Sequence, residues 1–178
     1  RRRLARHTGA SLLPQLAQYA QGRGQRVAIV GDEPIATRAA EVLREAHRAL
    51  DVVPIGFPWL RSIEPGQADS VITALHEVAA TWVFVCIGSP KQEQWVHLEK
   101  ANLPPGVYIG AGAAVDFVAG VKRRAPRLFQ RLGIEWMWRL LTEPKRMWRR
   151  YLVKGPRFVP IAVRSILWSG IRRRGQDA

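Results

Sequence analysis

Short runs of consecutive apolar residues alternate along this 178-residue chain with longer stretches that are rich in helix-forming residues. An apolar run without alternation is typical of a strand that is buried on both faces of a parallel sheet. Such runs predict strands at 26–30, 51–58, 82–87 and 105–112. The stretches between them predict helices over 12–19, 35–50, 68–80 and 90–101. Because strands and helices alternate, we expect an α/β fold with a Rossmann-like parallel sheet flanked by helices.

The segment CIGSPKQEQW, residues 86–95, marks the abrupt end of one apolar run. Gly88 allows a sharp turn, and Ser89 suits an N-cap with Pro90 at the first helical position. Gln92 completes a predicted capping box with Ser89. Ligands of open α/β sheets bind at such carboxyl ends of strands, and a helix N-terminus there attracts anions. The alternative reading is that Gln92 only caps its own helix.

Two other strands end in similar turns, VGDEP and IGAGAAVDFVAG. We expect all three turns to meet and to bind a ligand through seven residues: Gly31, Gly88, Ser89, Pro90, Gly110, Gly112 and Asp116. VGDEP is not a dinucleotide fingerprint, because the later glycines of G-x-G-x-x-G are missing, and no Walker A motif occurs. The alternative for GAGAAVDFVAG is a turn that only packs tightly on the sheet. Asp69 or Ser70 is the predicted cap of the helix over 68–80.

The sequence contains few candidate catalytic or metal-ligating residues. The four histidines lie far apart, and none has another His or Cys at metal-ligand spacing. No D-x-D pair occurs, so a divalent metal that holds a diphosphate is not indicated. The single cysteine, Cys86, excludes a disulfide framework. We therefore expect cationic side chains to stabilise any negative charge in a reaction.

Positive charge is concentrated in the last third of the chain. Residues 1–120 contain 12 Lys and Arg against 11 Asp and Glu, whereas residues 121–178 contain 16 against 3. This division predicts an α/β core at 1–120 and a basic helical appendage at 121–178. No apolar run reaches the 18 or so residues of a transmembrane helix. The stretch 158–174 is short, amphipathic and basic and contains tryptophan, which is typical of a helix in a membrane interface.

Three arginines of the appendage are spaced for one helical face: Arg139, Arg146 and Arg149. Pro144 lies between them and must kink or restart the helix. Arg150, four residues after Arg146 rather than three, is an alternative to Arg149.

The motifs GSPKQEQW, GAGAAVDFVAGVKRRAP and GIEWMWRLLTEPKRMWRRY resemble, in order and spacing, the WecG/TagA/CpsF glycosyltransferases. The resemblance implies an inverting, metal-independent transfer of a sugar such as N-acetylmannosamine or its uronic acid. The donor would be a UDP-sugar, which is a substrate, so no cofactor is expected. The acceptor would be a polyprenyl-diphosphate-linked saccharide at the cytoplasmic face of the bacterial inner membrane, with the protein bound peripherally to its anionic surface.

The same resemblance assigns roles residue by residue. Gln92 would lie in the active-site pocket, and Asp116 would face the nucleotide-sugar. The appendage arginines Arg139, Arg146 and Arg149 would meet the diphosphate, and Arg6 is a weaker match to an arginine near the pocket. Relative to the family, we expect the chain to lack an N-terminal segment that includes the aspartate proposed as catalytic base.

Two other classes of function compete with this interpretation. A nucleic-acid-binding protein would explain the basic, aromatic tail. It would not explain three strand ends with glycine, and we expect no nucleic acid among the partners. A catalytically inactive fragment that serves as a peripheral membrane adaptor is the stronger alternative.

Overall fold

The computed structural model describes residues 9–126, 128–129, 134–142 and 144. The chain divides into two units, residues 1–123 and 124–178. Among its described residues, the first contains nine elements: α1 Gly9–Gln21, β1 Val27–Gly31, α2 Glu33–Ala46, β2 Val52–Gly56, α3 Asp69–Val78, β3 Trp82–Val85, α4 Lys91–Glu99, β4 Val107–Gly110 and α5 Ala114–Val118. The second contains α6, Glu135–Thr142.

The four strands of the first unit form one parallel sheet in the order β2-β1-β3-β4. Val27 of β1 pairs with Val52 of β2 and Trp82 of β3, and Trp82 pairs in turn with Val107 of β4. All five residues of β1 are buried, which explains why its apolar run shows no alternation. The predicted α/β class with a parallel sheet is confirmed.

Helices cover both faces of this sheet. Val27 and Ile29 contribute to a core with α1, α2 and α5. Ala28 and Val30 contribute to the opposite core with α3 and α4, because successive side chains of a strand point to opposite faces. The helix that follows β1 therefore lies on one face, and the helix that follows β3 lies on the other.

Local hydrogen bonds set the helix starts differently from the sequence-based boundaries. α2 begins at Glu33 because Asp32 caps it, with its Oδ1 accepting a hydrogen bond from the Ile35 N–H at 3.4 Å. The predicted cap of α3 is wrong. Ala68 occupies the N-cap position without a side-chain hydrogen bond, and Asp69 is already helical.

The second unit is described in part. Glu135, in the first turn of α6, forms an ion pair with Arg124 at 3.6 Å, and the rings of Phe129 and Trp138 lie 5.8 Å apart. The membrane helix predicted at 158–174 lies outside the described residues. Within the part of the chain that the structure describes, no helix is long and apolar enough to cross a membrane.

Candidate functional site

The strand order creates a topological switch point between β1 and β3. From β1 the chain runs to β2 on one side and then crosses to β3 on the other. Helices α2 and α4 diverge to opposite faces at this point. Ligands of open α/β sheets bind beside the carboxyl ends of the two strands at a switch point. Two of the predicted turns, VGDEP and IGSPKQE, follow these two strands.

The turns after β1 and β3 touch each other. A Cβ atom on Gly31 would lie 3.3 Å from the Cβ of Cys86, so the two turns approach more closely than most side chains permit. Gly88 has a φ of +86°, a conformation that glycine adopts readily and other residues rarely do. The following peptide bond, Ser89–Pro90, is cis. Both Ser89 and Pro90 are exposed.

The start of α4 corrects the predicted capping box. Pro90 occupies the N-cap position without a side-chain hydrogen bond, and Lys91 is the first helical residue. Ser89 is therefore not the cap, and Gln92 is the second helical residue rather than the third. The physical reason is that the backbone satisfies the Gln92 N–H, which donates to the Gly88 carbonyl at 3.0 Å and so does not need the Ser89 side chain as acceptor.

The Gln92 side chain connects α4 to the turn after β4 and does not cap its own helix. Its Oε1 accepts a hydrogen bond from the Gly112 N–H at 3.0 Å, and its Nε2 donates to Glu93 Oε1 at 2.8 Å. Gln92 is 5% exposed, and an unpaired amide at such a site would be costly. The turns after β3 and β4 are thus joined by the Gln92 side chain.

Gly110 makes room for this connection. A Cβ atom there would lie 2.5 Å from Gln92 Nε2, closer than real Cβ contacts allow. Gly112, which provides the N–H, has a φ of +52°. The GAGAAVDFVAG turn therefore does pack tightly, as the alternative reading states. The tight packing also positions a backbone donor, the Gly112 N–H, against Gln92.

Asp116 lies in α5 directly after this turn and forms an ion pair with Lys122. The Lys122 Nζ and Asp116 Oδ2 atoms are 2.7 Å apart, and the side chains are 28% and 14% exposed. The Lys122 N–H also donates to the Asp116 carbonyl at 3.1 Å. Sequence reasoning missed Lys122. The sequence signal was the glycine at position 120, between the two charged residues. Its φ of +73° shows that the chain turns there.

Cys86 is the first residue after β3. Burial raises the pKa of its thiol to about 12, and the nearby negative charge of Asp116 acts in the same direction, against a hydrogen bond from the Val115 backbone. The thiol therefore stays protonated at neutral pH. A neutral thiol is a poor nucleophile, and the Cys86 side chain packs where the turns after β1 and β3 meet.

The other predicted site residues cannot be compared with these. Arg139 belongs to α6, but its side chain lies outside the described residues, as do Arg6, Arg146 and Arg149. Their assignments remain predictions. Among the described residues, no three His, Cys, Asp or Glu side chains cluster closely enough to hold a metal ion.

A family model now connects this geometry to known proteins. The model for the glycosyl transferase WecG/TagA/CpsF family matches residues 1–172 of the 178-residue chain. The match covers all the described elements, including the three turns at the carboxyl edge of the sheet. It confirms the resemblance carried by the three sequence motifs. The chain belongs to the WecG/TagA/CpsF family of glycosyl transferases.

Proposed function

We propose that this chain binds a UDP-sugar at the switch point and transfers the sugar, with inversion, to a polyprenyl-diphosphate-linked saccharide. One observation carries the proposal. The bond between Gln92 and Gly112 joins the turns after β3 and β4, beside the turn after β1 and next to the Asp116–Lys122 pair. Family membership supplies the reaction class, and the meeting of these turns at a switch point supports the choice of this site for the nucleotide.

The donor would lie against backbone, with side chains at its ends. The turns at Gly31, 88–90 and 110–112 let a diphosphate approach the main chain closely, because their glycines have no side chain, as glycine turns at anion sites commonly do. Asp116 would hydrogen-bond a hydroxyl or N–H group of the nucleoside or sugar. Lys122, already paired with Asp116, would limit the repulsion between that carboxylate and the phosphates.

The reaction displaces UDP from the anomeric carbon. A hydroxyl group of the acceptor attacks C1 on the face opposite the nucleotide, the C1–O bond to UDP breaks, and the hydroxyl proton passes to a base. Negative charge grows on the departing diphosphate. We propose that Arg139, Arg146 and Arg149 stabilise it, because arginine donates paired hydrogen bonds to phosphate oxygens. In this proposal no metal or cofactor is required.

Titration calorimetry with UDP tests the proposal. Asp116→Ala should weaken UDP binding by about tenfold, since it removes a charged hydrogen-bonding group, while circular dichroism shows an unchanged fold. Glu77→Ala is a matched control, because Glu77 is an exposed carboxylate near the end of α3. UDP affinity that is equal in Asp116→Ala and the wild type would remove Asp116 from the site. Failure of the wild type to bind UDP would favour the inactive membrane adaptor.

A further inference from the structure

Trp59 is the most exposed of the large apolar side chains in the described residues, at 85% of its surface. It belongs to the connection 57–68 between β2 and α3, which begins at the same carboxyl edge as the glycine turns. Neither the predicted site nor its chemistry uses this residue. Exposing an indole to water loses hydrophobic stabilisation, and a ligand that covered this ring would recover it.

The connection that carries Trp59 is held at three points. At its start, the Phe57 N–H donates to the Gly31 carbonyl at 2.7 Å, and the Phe57 ring packs edge-on against Trp95 at 5.3 Å. In its middle, Lys91 Nζ donates to the Leu60 carbonyl.

Near its end, the Gly66 N–H donates at 3.0 Å to Glu99 Oε1, whose side chain is buried. The indole is therefore presented by an ordered segment. A preorganised aromatic side chain loses little entropy when a ligand binds to it.

Lys91 adds a charge to this aromatic surface. Its ammonium group lies 5.7 Å from the centre of the Trp59 ring, a cation–π distance. Lys91 is also the first residue of α4, so the pair bridges the connections after β2 and β3. These strands lie on either side of β1, and the pair therefore borders the switch point.

The neighbours of Trp59 favour a small ligand over a protein partner. Pro58, Arg61 and Ser62 are exposed, and Leu60 is only partly exposed. A single aromatic ring among polar groups is smaller than the contiguous apolar patches of protein interfaces. A ring face carries negative potential, which attracts the polarised C–H groups on the apolar face of a pyranose.

The two sides of the switch point differ. Asp116, Lys122 and the Gly112 partner of Gln92 follow β4, whereas Trp59 follows β2 and is reached by Lys91 from the start of α4. The carboxyl ends of β2 and β4 are three strand spacings apart, about 14 Å. A donor that contacts the turn after β4 would therefore leave Trp59, on the far side of β1, to contact a second ligand.

We propose that Trp59 and Lys91 form the acceptor subsite. The indole stacks on the pyranose ring of the acceptor saccharide, and the Lys91 ammonium faces its diphosphate. The choice of an acceptor as the ligand rests on the proposed function. The stacking itself rests on the exposure of Trp59, its ordered segment and the adjacent cation.

The test uses a soluble probe, a hexosamine 1-diphosphate with a short prenyl chain, and measures its affinity and that of UDP separately by calorimetry. Trp59→Ala should weaken probe binding by about fivefold or more, Trp59→Phe should stay within about twofold of the wild type, and UDP affinity should not change. Val107→Ala is the control, because Val107 is an exposed apolar residue at the opposite, amino end of the sheet. Circular dichroism verifies the fold of each variant.

Probe affinity within twofold of the wild type in Trp59→Ala would overturn the subsite, as would a wild type that does not bind the probe. A loss of UDP affinity alone would also overturn it, because the ring would then contact the nucleotide. Probe binding that depends on Trp59 in a protein that does not bind UDP would support the subsite and reject the proposed donor. The two proposals therefore fail separately.

Discussion

Gln92 links two of the turns in the candidate site. Its carboxamide orders the turn at Gly112, and its position beside Gly88 places it at the switch point. Both ends of the amide make hydrogen bonds within the protein. Any ligand contact of Gln92 would therefore come from the second N–H of Nε2 or the second lone pair of Oε1.

The space beside Gln92 gives a prediction about Gly110. Gly110→Ala should reduce the free energy of unfolding by about 1–3 kcal/mol, because the added methyl group overlaps the buried amide. UDP affinity should fall as well, since the turn at Gly112 must shift. Urea unfolding and calorimetry measure the two effects.

Gly22→Ala is the control for Gly110→Ala. A Cβ atom on Gly22 would meet its nearest neighbour at an ordinary 3.7 Å. Equal stability of the two alanine variants would mean that the turn after β4 accommodates a side chain, and the close approach to Gln92 would lose its importance.

At the scale of elements, Glu99 fixes the end of the connection that carries Trp59. The hydrogen bond from the Gly66 N–H, followed by that from Asn102 Nδ2, holds the pKa of this carboxyl below its usual value of 4.5. A lowered pKa in the folded state means that the carboxylate stabilises the fold above its unfolded pKa. That contribution is lost as the pH falls through the folded value.

We therefore expect the unfolding free energy of the wild type to fall more steeply below about pH 4.5 than that of Glu99→Gln. The wild type should be the more stable protein at pH 7, and the difference should shrink in acid. Urea unfolding across this pH range measures it, with Glu77→Gln as an exposed control. Parallel pH profiles for the wild type and Glu99→Gln would show that Glu99 is not a stabilising carboxylate.

The elements themselves could be predicted because their signals are local. β1 is buried along its whole length, so its apolar run was readable without any knowledge of its neighbours. The predicted capping box was wrong because the partner of Gln92 is distant in the sequence. Gln92 has a better partner in Gly112, twenty residues away, and no local pattern reveals a contact that the sheet topology creates.

The same distinction between local signals and contacts created by folding explains which parts of the candidate site could be predicted. The three glycine turns were predicted individually, and parallel topology predicts that they share an edge. The Asp116–Lys122 pair and the Trp59–Lys91 pair were not predicted, because each depends on how a turn or a connection folds back. Residue identity alone did not distinguish these lysines from the many other cations of the chain.

At the scale of the whole molecule, charge gives a prediction about location. Residues 121–178 contain 16 Lys and Arg against 3 Asp and Glu. Each cation near an anionic leaflet contributes about 1 kcal/mol. We expect the chain to sediment with anionic vesicles and to be released at least partly by high salt, because salt screens exposed charges.

Deletion of residues 155–178 should weaken this sedimentation, and neutral vesicles provide the control. Equal binding to neutral and anionic vesicles in high salt would show that the charge of the tail is not responsible. In that case the peripheral membrane location would lose its physical basis, although donor binding at the sheet edge would be unaffected.

Amide-resolved NMR titration with UDP determines whether the nucleotide binds at the switch point. Binding at this site should cause saturable shifts of the Gly31, Gly88 and Gly112 amides, with little change at Val27, Trp82 and Val107 at the amino end of the strands. Shifts confined to the amino end, or no saturable shift at any of the three glycines, would contradict it.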